Sequence, residues 1–277
     1  MKKFLATLLC ALLALAFPFV STSCSKDKNT IVVGASSTPH AEILEQVKSD
    51  LKKEGYTLEI RIMDDYVTPN IALDEGDLDA NYFQHEPYLV DFNAANGTNI
   101  VTAAKIHYEP LGVYGKGVSQ SDFDTNKTGR KILVPSDGSN CTRALFVLQD
   151  EGFITLREGV SPSDTLSDLD IVDKKGNTIT LVEASMVPAQ FNEASSGTLA
   201  VVNGNYALAS GLDIADALAT EDPNGPAAQL YANIIAVKAG KENSAKTMAL
   251  VKALQSQKVY DYINATYGGA VKPVFSL

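Results

Sequence analysis

The 277-residue chain has no tryptophan, three histidines and three cysteines. Without tryptophan, a large aromatic cage has no obvious builder. His40, His85 and His107 lie in three different segments, which argues against a zinc centre needing several His and carboxylate ligands together. Catalytic signatures are missing too. There is no G-x-S-x-G, H-E-x-x-H, G-x-x-x-x-G-K or C-x-x-C, and no nucleophile–base pair to support a hydrolase. Positive charge is scarce, with 23 Lys and Arg against 33 Asp and Glu, for a net charge of −10. So acidic a surface repels phosphate backbones and offers no basic patch to anionic lipid. Asp77-Leu78-Asp79 has acidic spacing without the rest of a calcium loop, and reads as solvated turn residues.

What is present starts with an export signal. Lys2 and Lys3 precede an apolar run from Phe4 to Val20, and Ser21-Thr22-Ser23-Cys24 follows. That is the charged region, apolar region and small-residue cleavage zone of a signal peptide. The run is shorter than the roughly 20 apolar residues of a spanning helix, and Pro18 lies near its end. A cysteine placed after small residues resembles the lipobox of bacterial lipoproteins, with Ser21 where that box usually has Leu. The expectation is a signal peptide over 1–23, a lipid-modified Cys24 anchoring the protein to a membrane of the cell envelope, and a polar tether over 24–30. Plain secretion is the alternative. Cys10 would leave with the signal and Cys24 would be acylated, so Cys141 has no partner for a disulfide within the chain. It reads as a small residue in a packed turn rather than a reactive thiol, since no His or acid lies beside it.

The mature chain alternates short apolar strands with amphipathic helices. Ile31–Gly34 is a strand. Thr38-Pro39 looks like a cap and first helical position, followed by a helical face of Ile43, Leu44, Val47 and Leu51. Strands over 58–63 and 79–84 flank a helix opened by Thr68-Pro69, and this β-α-β-α-β pattern predicts a parallel α/β sheet. A second such run has strands at 131–135, 179–183 and 199–203, a turn at 136–140 and helices over 143–151 and 186–194. Segments 106–116 and 231–238 are placed to cross between the units, and two helices close the chain. The expected fold is therefore α/β and two-lobed, with lobe 1 from 31–109 and 234–277 and lobe 2 from 110–233. In such sheets ligands sit beyond the carboxyl ends of strands.

Three segments fall at such ends. Ser136–Arg143 follows a buried strand and opens a helix, where free backbone N–H groups collect and Arg143 could offer a fork to a carboxylate. A surface arginine on an amphipathic helix is the plainer reading of that position. Asp64-Asp65-Tyr66 and Asp79–His85 end the second and third strands, and their aromatics could wall an apolar pocket or simply fill core.

The motifs taken in order are more specific. Asp65-Tyr66-Val67-Thr68-Pro69-Asn70, Gly76–Leu89 with its Asn81-Tyr82-Phe83-Gln84-His85-Glu86-Pro87-Tyr88 centre, Ile132–Leu148, Ala200–Ala207 and Gly269–Pro273 together resemble the methionine ABC-transporter substrate-binding lipoproteins, the NlpA family. The resemblance runs from about residue 31 to 275. It implies a type II periplasmic-binding-protein fold, two lobes joined by two hinge crossings. It also implies a lipid-anchored trap, with no catalysis and no cofactor, that passes methionine, L-methionine in the first instance, to an ABC permease and its ATPase. Ligand contacts carried over by position are Tyr66, Phe83, His85, Tyr88, Arg143, Asn203 and Asn233. The aromatics would enclose the thioether, Arg143 would bind the carboxylate, and the asparagines would hold the amino and carboxylate ends. A monomer is expected. Ser136, Gly138, Cys141 and Thr142 depart from the family's usual residues beside Arg143, which leaves another small amino acid or a dipeptide as an alternative ligand. A surface lipoprotein that contacts other proteins is the rival function.

Overall fold

The computed structural model describes residues 28–222, 225 and 227–277, leaving residues 1–27, 223, 224 and 226 undescribed. The expected signal peptide, Cys24 and most of the tether lie outside the described residues.

Lobe 1 opens with β1 (Thr30–Ala35), α1 (Glu42–Lys53), β2 (Thr57–Ile62), α2 (Thr68–Glu75), β3 (Ala80–His85), α3 (Glu86–Asn96) and β4 (Ile100–Tyr108). The chain then enters lobe 2 through β5 (Gly112–Gly115), α4 (Gln120–Thr125), β6 (Lys131–Pro135), α5 (Gly138–Asp150) and a hairpin of β7 (Thr155–Leu156) and β8 (Ile171–Asp173). β9 (Thr178–Val182), α6 (Val187–Asn192), β10 (Leu199–Val202), α7 (Gly204–Ser210), β11 (Ala219–Thr220) and α8 (Ala227–Leu230) complete it. The return to lobe 1 is made by β12 (Asn233–Lys238), followed by α9 (Ala245–Leu254), α10 (Gln257–Thr266) and β13 (Lys272–Pro273).

Lobe 1 holds a six-stranded sheet in the order β13-β4-β12-β3-β1-β2, and lobe 2 a five-stranded sheet in the order β11-β5-β10-β6-β9. β1 pairs in parallel with β2 and β3, and β6 with β9 and β10, as βαβ units require. β12 runs antiparallel between β3 and β4, so the returning strand is wedged into the first sheet rather than added at its edge. Each sheet has its own core. Ile43, Leu44, Val47 and Leu51 of α1 pack with β1 and with Leu250, Leu254, Val259 and Ile263 of the closing helices. Leu145 and Leu148 of α5 pack with Ile132, Val134 and Phe153.

Two helix starts differ from the sequence pattern. Thr38 is extended (φ −137°, ψ 143°), as the residue before a proline favours, so Thr38-Pro39 sits in a wide turn and α1 begins at Glu42. α5 starts earlier than expected, because Asp137 caps it by accepting from the Asn140 N–H at 3.0 Å. Asn140, Cys141 and Thr142 are thus helical, and the expected turn over 136–140 is only its first part. Asp79 is no solvated turn residue either. Its carboxylate accepts from the Val32 N–H at 2.8 Å and from Lys246 Nζ at 3.1 Å, fastening β1 to α9.

Candidate ligand-binding site

A third apolar cluster joins the lobes. Tyr66, Phe83 and Tyr88 from lobe 1 pack with Tyr206, Val202 and Phe191 from lobe 2. Tyr66 stacks on Tyr206 with centroids 4.9 Å apart, and its hydroxyl donates to Asn205 Oδ1 at 2.6 Å. The Tyr206 hydroxyl in turn donates to the Asp64 carbonyl at 3.1 Å. These contacts hold the lobes against each other.

Beside this cluster, between the two sheets, lies a small cavity with a mostly polar lining. Tyr66, Phe83, His85 and Tyr88 line one side, Arg143 and Asn203 the other, and Asn233 comes from the returning strand. All seven residues expected to contact a ligand therefore meet in one place. β3 ends at His85, β10 just before Asn203 and β12 begins at Asn233, so strand ends of both sheets build the walls.

The walls differ in character. Tyr66, Phe83 and Tyr88 make edge and tilted contacts at 5.6–6.1 Å, giving an aromatic end without charge. The Tyr88 hydroxyl donates to the Tyr66 carbonyl at 2.8 Å, which fixes the ring. The opposite end is polar. His85 accepts the Tyr88 N–H on Nδ1 at 3.2 Å, so its Nε2 carries the proton and donates to Asn140 Oδ1 at 3.1 Å. Burial drives this ring's pKa down to about 3, with the Arg143 charge adding to the effect, so it stays neutral.

Five wall residues were not singled out from sequence as ligand contacts: Gln84, Glu109, Asn140, Gly204 and Asn205. Asn140 is a junction whose Oδ1 also accepts from Asn203 Nδ2 at 2.8 Å. Its place within the Ser136–Arg143 segment was the only signal available. Asn203 Oδ1 is buried with no hydrogen-bond partner among the described residues. Such an acceptor calls for a donor.

Arg143 is buried, not a surface arginine, and its fork is partly engaged. Nε and Nη2 donate to Glu221 at 3.1 and 2.5 Å, and Nη2 also donates to the Glu109 carbonyl at 3.0 Å. The guanidinium lies 4.4 Å from the Tyr231 ring centroid. Nη1 faces Asn140, with 3.5 Å to its Oδ1, and is the edge left for a ligand. Glu221 keeps the guanidinium charged against the cost of burial. It also accepts from the Tyr108 hydroxyl and the Leu111 N–H at 2.8 and 2.9 Å, so one carboxylate ties the first lobe crossing to the site.

The model of the family described as NlpA lipoprotein matches residues 31–275. The chain belongs to the NlpA lipoprotein family. It is 38% identical over 286 residues to the methionine-binding lipoprotein MetQ of Bacillus subtilis, covering 99% of this chain and 98% of that one. A putative lipoprotein from Ruminococcus gnavus, solved as a crystal structure, is 49% identical with a TM-score of 0.83, covering 89% of this chain and all of that one. A Burkholderia cenocepacia nutrient-binding protein solved with methionine bound is 37% identical with a TM-score of 0.81, over 88% of this chain and all of that one. The two-lobed α/β fold is thus common to this chain and its solved NlpA relatives. No helix among the described residues is long and apolar enough to cross a membrane.

The structure also corrects the separation of the histidines. His40 and His107 come together around the Glu109 carboxylate, with their Nε2 atoms 3.5 and 2.6 Å from its Oε1.

Proposed function

We propose that this NlpA lipoprotein captures methionine, L-methionine first, between its lobes and hands it to an ABC permease driven by its ATPase. The observation that carries this reading is the pairing of an uncharged aromatic end with a polar end that offers one cationic edge, one carboxylate and unpaired amide oxygen. A free zwitterion with an apolar, polarizable tail matches both ends. The thioether packs on Tyr66, Phe83 and Tyr88, which contributes on the order of 2 kcal/mol. Arg143 Nη1 and the Asn233 amide take the carboxylate, while Asn203 Oδ1 and Glu109 receive the ammonium. The Bacillus relative, methionine-binding by name, and the methionine-bound Burkholderia structure support the choice of ligand. Lipid on Cys24 would keep a monomeric trap at the cell envelope, a role of capture rather than catalysis.

Titration calorimetry with L-methionine tests the reading. Arg143→Ala is expected to weaken binding by about 2–4 kcal/mol, because the carboxylate loses a charge-assisted partner in a buried site. Lys252→Ala, in an exposed ion pair with Glu54, leaves affinity unchanged. Equal affinity for the Arg143 variant and the parent removes Arg143 from the site.

A further inference from the structure

Behind the cavity lies a titratable cluster that ligand packing alone does not require. Glu109 Oε1 is 2.6 Å from His107 Nε2 and 3.5 Å from His40 Nε2. His107 Nδ1 is held by the Tyr82 hydroxyl of β3. His40 Nε2 is 2.9 Å from Asn233 Oδ1, to which it donates. All three side chains are buried, and only Glu109 reaches the cavity wall. Two donors on one tetrahedral zinc ion with bonds near 2.0 Å stand about 3.3 Å apart. His107 and Glu109 are closer than that, as a hydrogen-bonded pair.

The remaining neighbours of the Glu109 carboxyl are few. Arg143 of α5 is already balanced by Glu221, Tyr66 stands across the cavity, and α7 presents Gly204 and the Asn205 N–H. An ionised Glu109 would therefore be the one unbalanced charge of the cluster. We propose that binding of an amino acid's ammonium group expels a proton from the Glu109–His107–His40 cluster, so that the protein holds its ligand more weakly in acid. The inference rests on the amino-acid reading given above. The exchange balances simply. The ammonium keeps its three protons, the Glu109 carboxyl gives its proton to solvent, and a carboxylate–ammonium pair replaces the neutral acid. Burial pushes the Glu109 pKa up to about 7 and takes His107 and His40 down to about 3 and 4, which keeps the exchangeable proton on the carboxyl.

Calorimetry of the full chain with L-methionine at pH 6 and pH 8, each in buffers of low and high ionisation enthalpy, counts the protons. Release of nearly one proton is expected at pH 6 and about a tenth of one at pH 8, with affinity about tenfold lower at pH 6. In Glu109→Gln both the proton release and the pH slope disappear, at a lower affinity. Equal affinity at the two pH values with buffer-independent heats overturns the proposal, and the parent protein alone decides this if the variant does not fold. A pH slope that persists in Glu109→Gln overturns it too, by assigning the proton to another group such as the buried Asp137. Absence of any binding heat at either pH instead removes methionine as the ligand, and the proposal with it.

Discussion

Removing Glu221 should destabilise the protein more than any exposed ion pair does. In Glu221→Ala the Arg143 guanidinium, 4% exposed, loses its two carboxylate contacts and remains as an unpaired buried charge. Breaking such a pair by deleting one partner costs about 3–5 kcal/mol. The Tyr108 hydroxyl and Leu111 N–H lose their acceptor in the same step. At about 2–4 °C per kcal/mol for a domain of this size, the melting temperature should fall by about 6–20 °C in scanning calorimetry. A second measurement isolates the cause. Saturating methionine brings a carboxylate to the same guanidinium, so the ligand should raise the variant's melting temperature by more than it raises the parent's. Replacing both partners, Arg143→Leu with Glu221→Leu, should restore much of the stability while losing methionine binding, because two well-packed apolar groups need no countercharge. A drop of less than about 2 °C in Glu221→Ala would refute the reasoning, since it would mean that the guanidinium finds water or another acceptor at little cost.

Two further outcomes follow from the geometry. A Cβ on Gly204 would stand 2.7 Å from both Cβ and Oε2 of Glu109, so Gly204→Ala should displace that carboxylate and weaken methionine binding at least tenfold by calorimetry, with far-UV circular dichroism unchanged. Stability should also fall with acid. Burial lowers the pKa values of His40, His85 and His107 to about 4, 3 and 3, so the folded protein refuses protons that the unfolded chain accepts below about 6.5. Glu109 opposes this, because its carboxyl, pushed up to about 7, takes its proton in the folded state first. With three groups against one, the net loss is about 2–3 kcal/mol per pH unit near pH 5. Melting temperatures equal at pH 7 and pH 5.5 would contradict that balance.

What the chain order reveals and what it conceals divide along local and distant contacts. The parallel strands and most helices follow from apolar periodicity and from Pro69 and Gly76 bracketing α2, all of which act within a few residues. The start of α5 was obscured because Gly138, Ser139 and Asn140 are weak helix formers. The Asp137 cap that overrides them is a side-chain contact without a periodic mark. Tyr66 and Arg143 could be nominated because motifs carry them. Their partners Asn205 and Glu221 lie 139 and 78 residues away, and no spacing rule connects such pairs. The histidines show the same limit. His40 and His107 belong to separate segments, and only the pairing of β3 with β1 and β12, and of β12 with β4, folds them onto one carboxylate.

The wedged position of β12 has a mechanical consequence. Because the chain leaves lobe 1 after β4 and returns between β3 and β4, both the first and the last described strands are woven into one sheet, and lobe 2 hangs from it as an inserted loop of more than a hundred residues. Any pull applied ahead of β1 is borne by that first sheet alone. The second sheet is thus joined to the first only through the two crossings, so any hinge there would move it as a single unit.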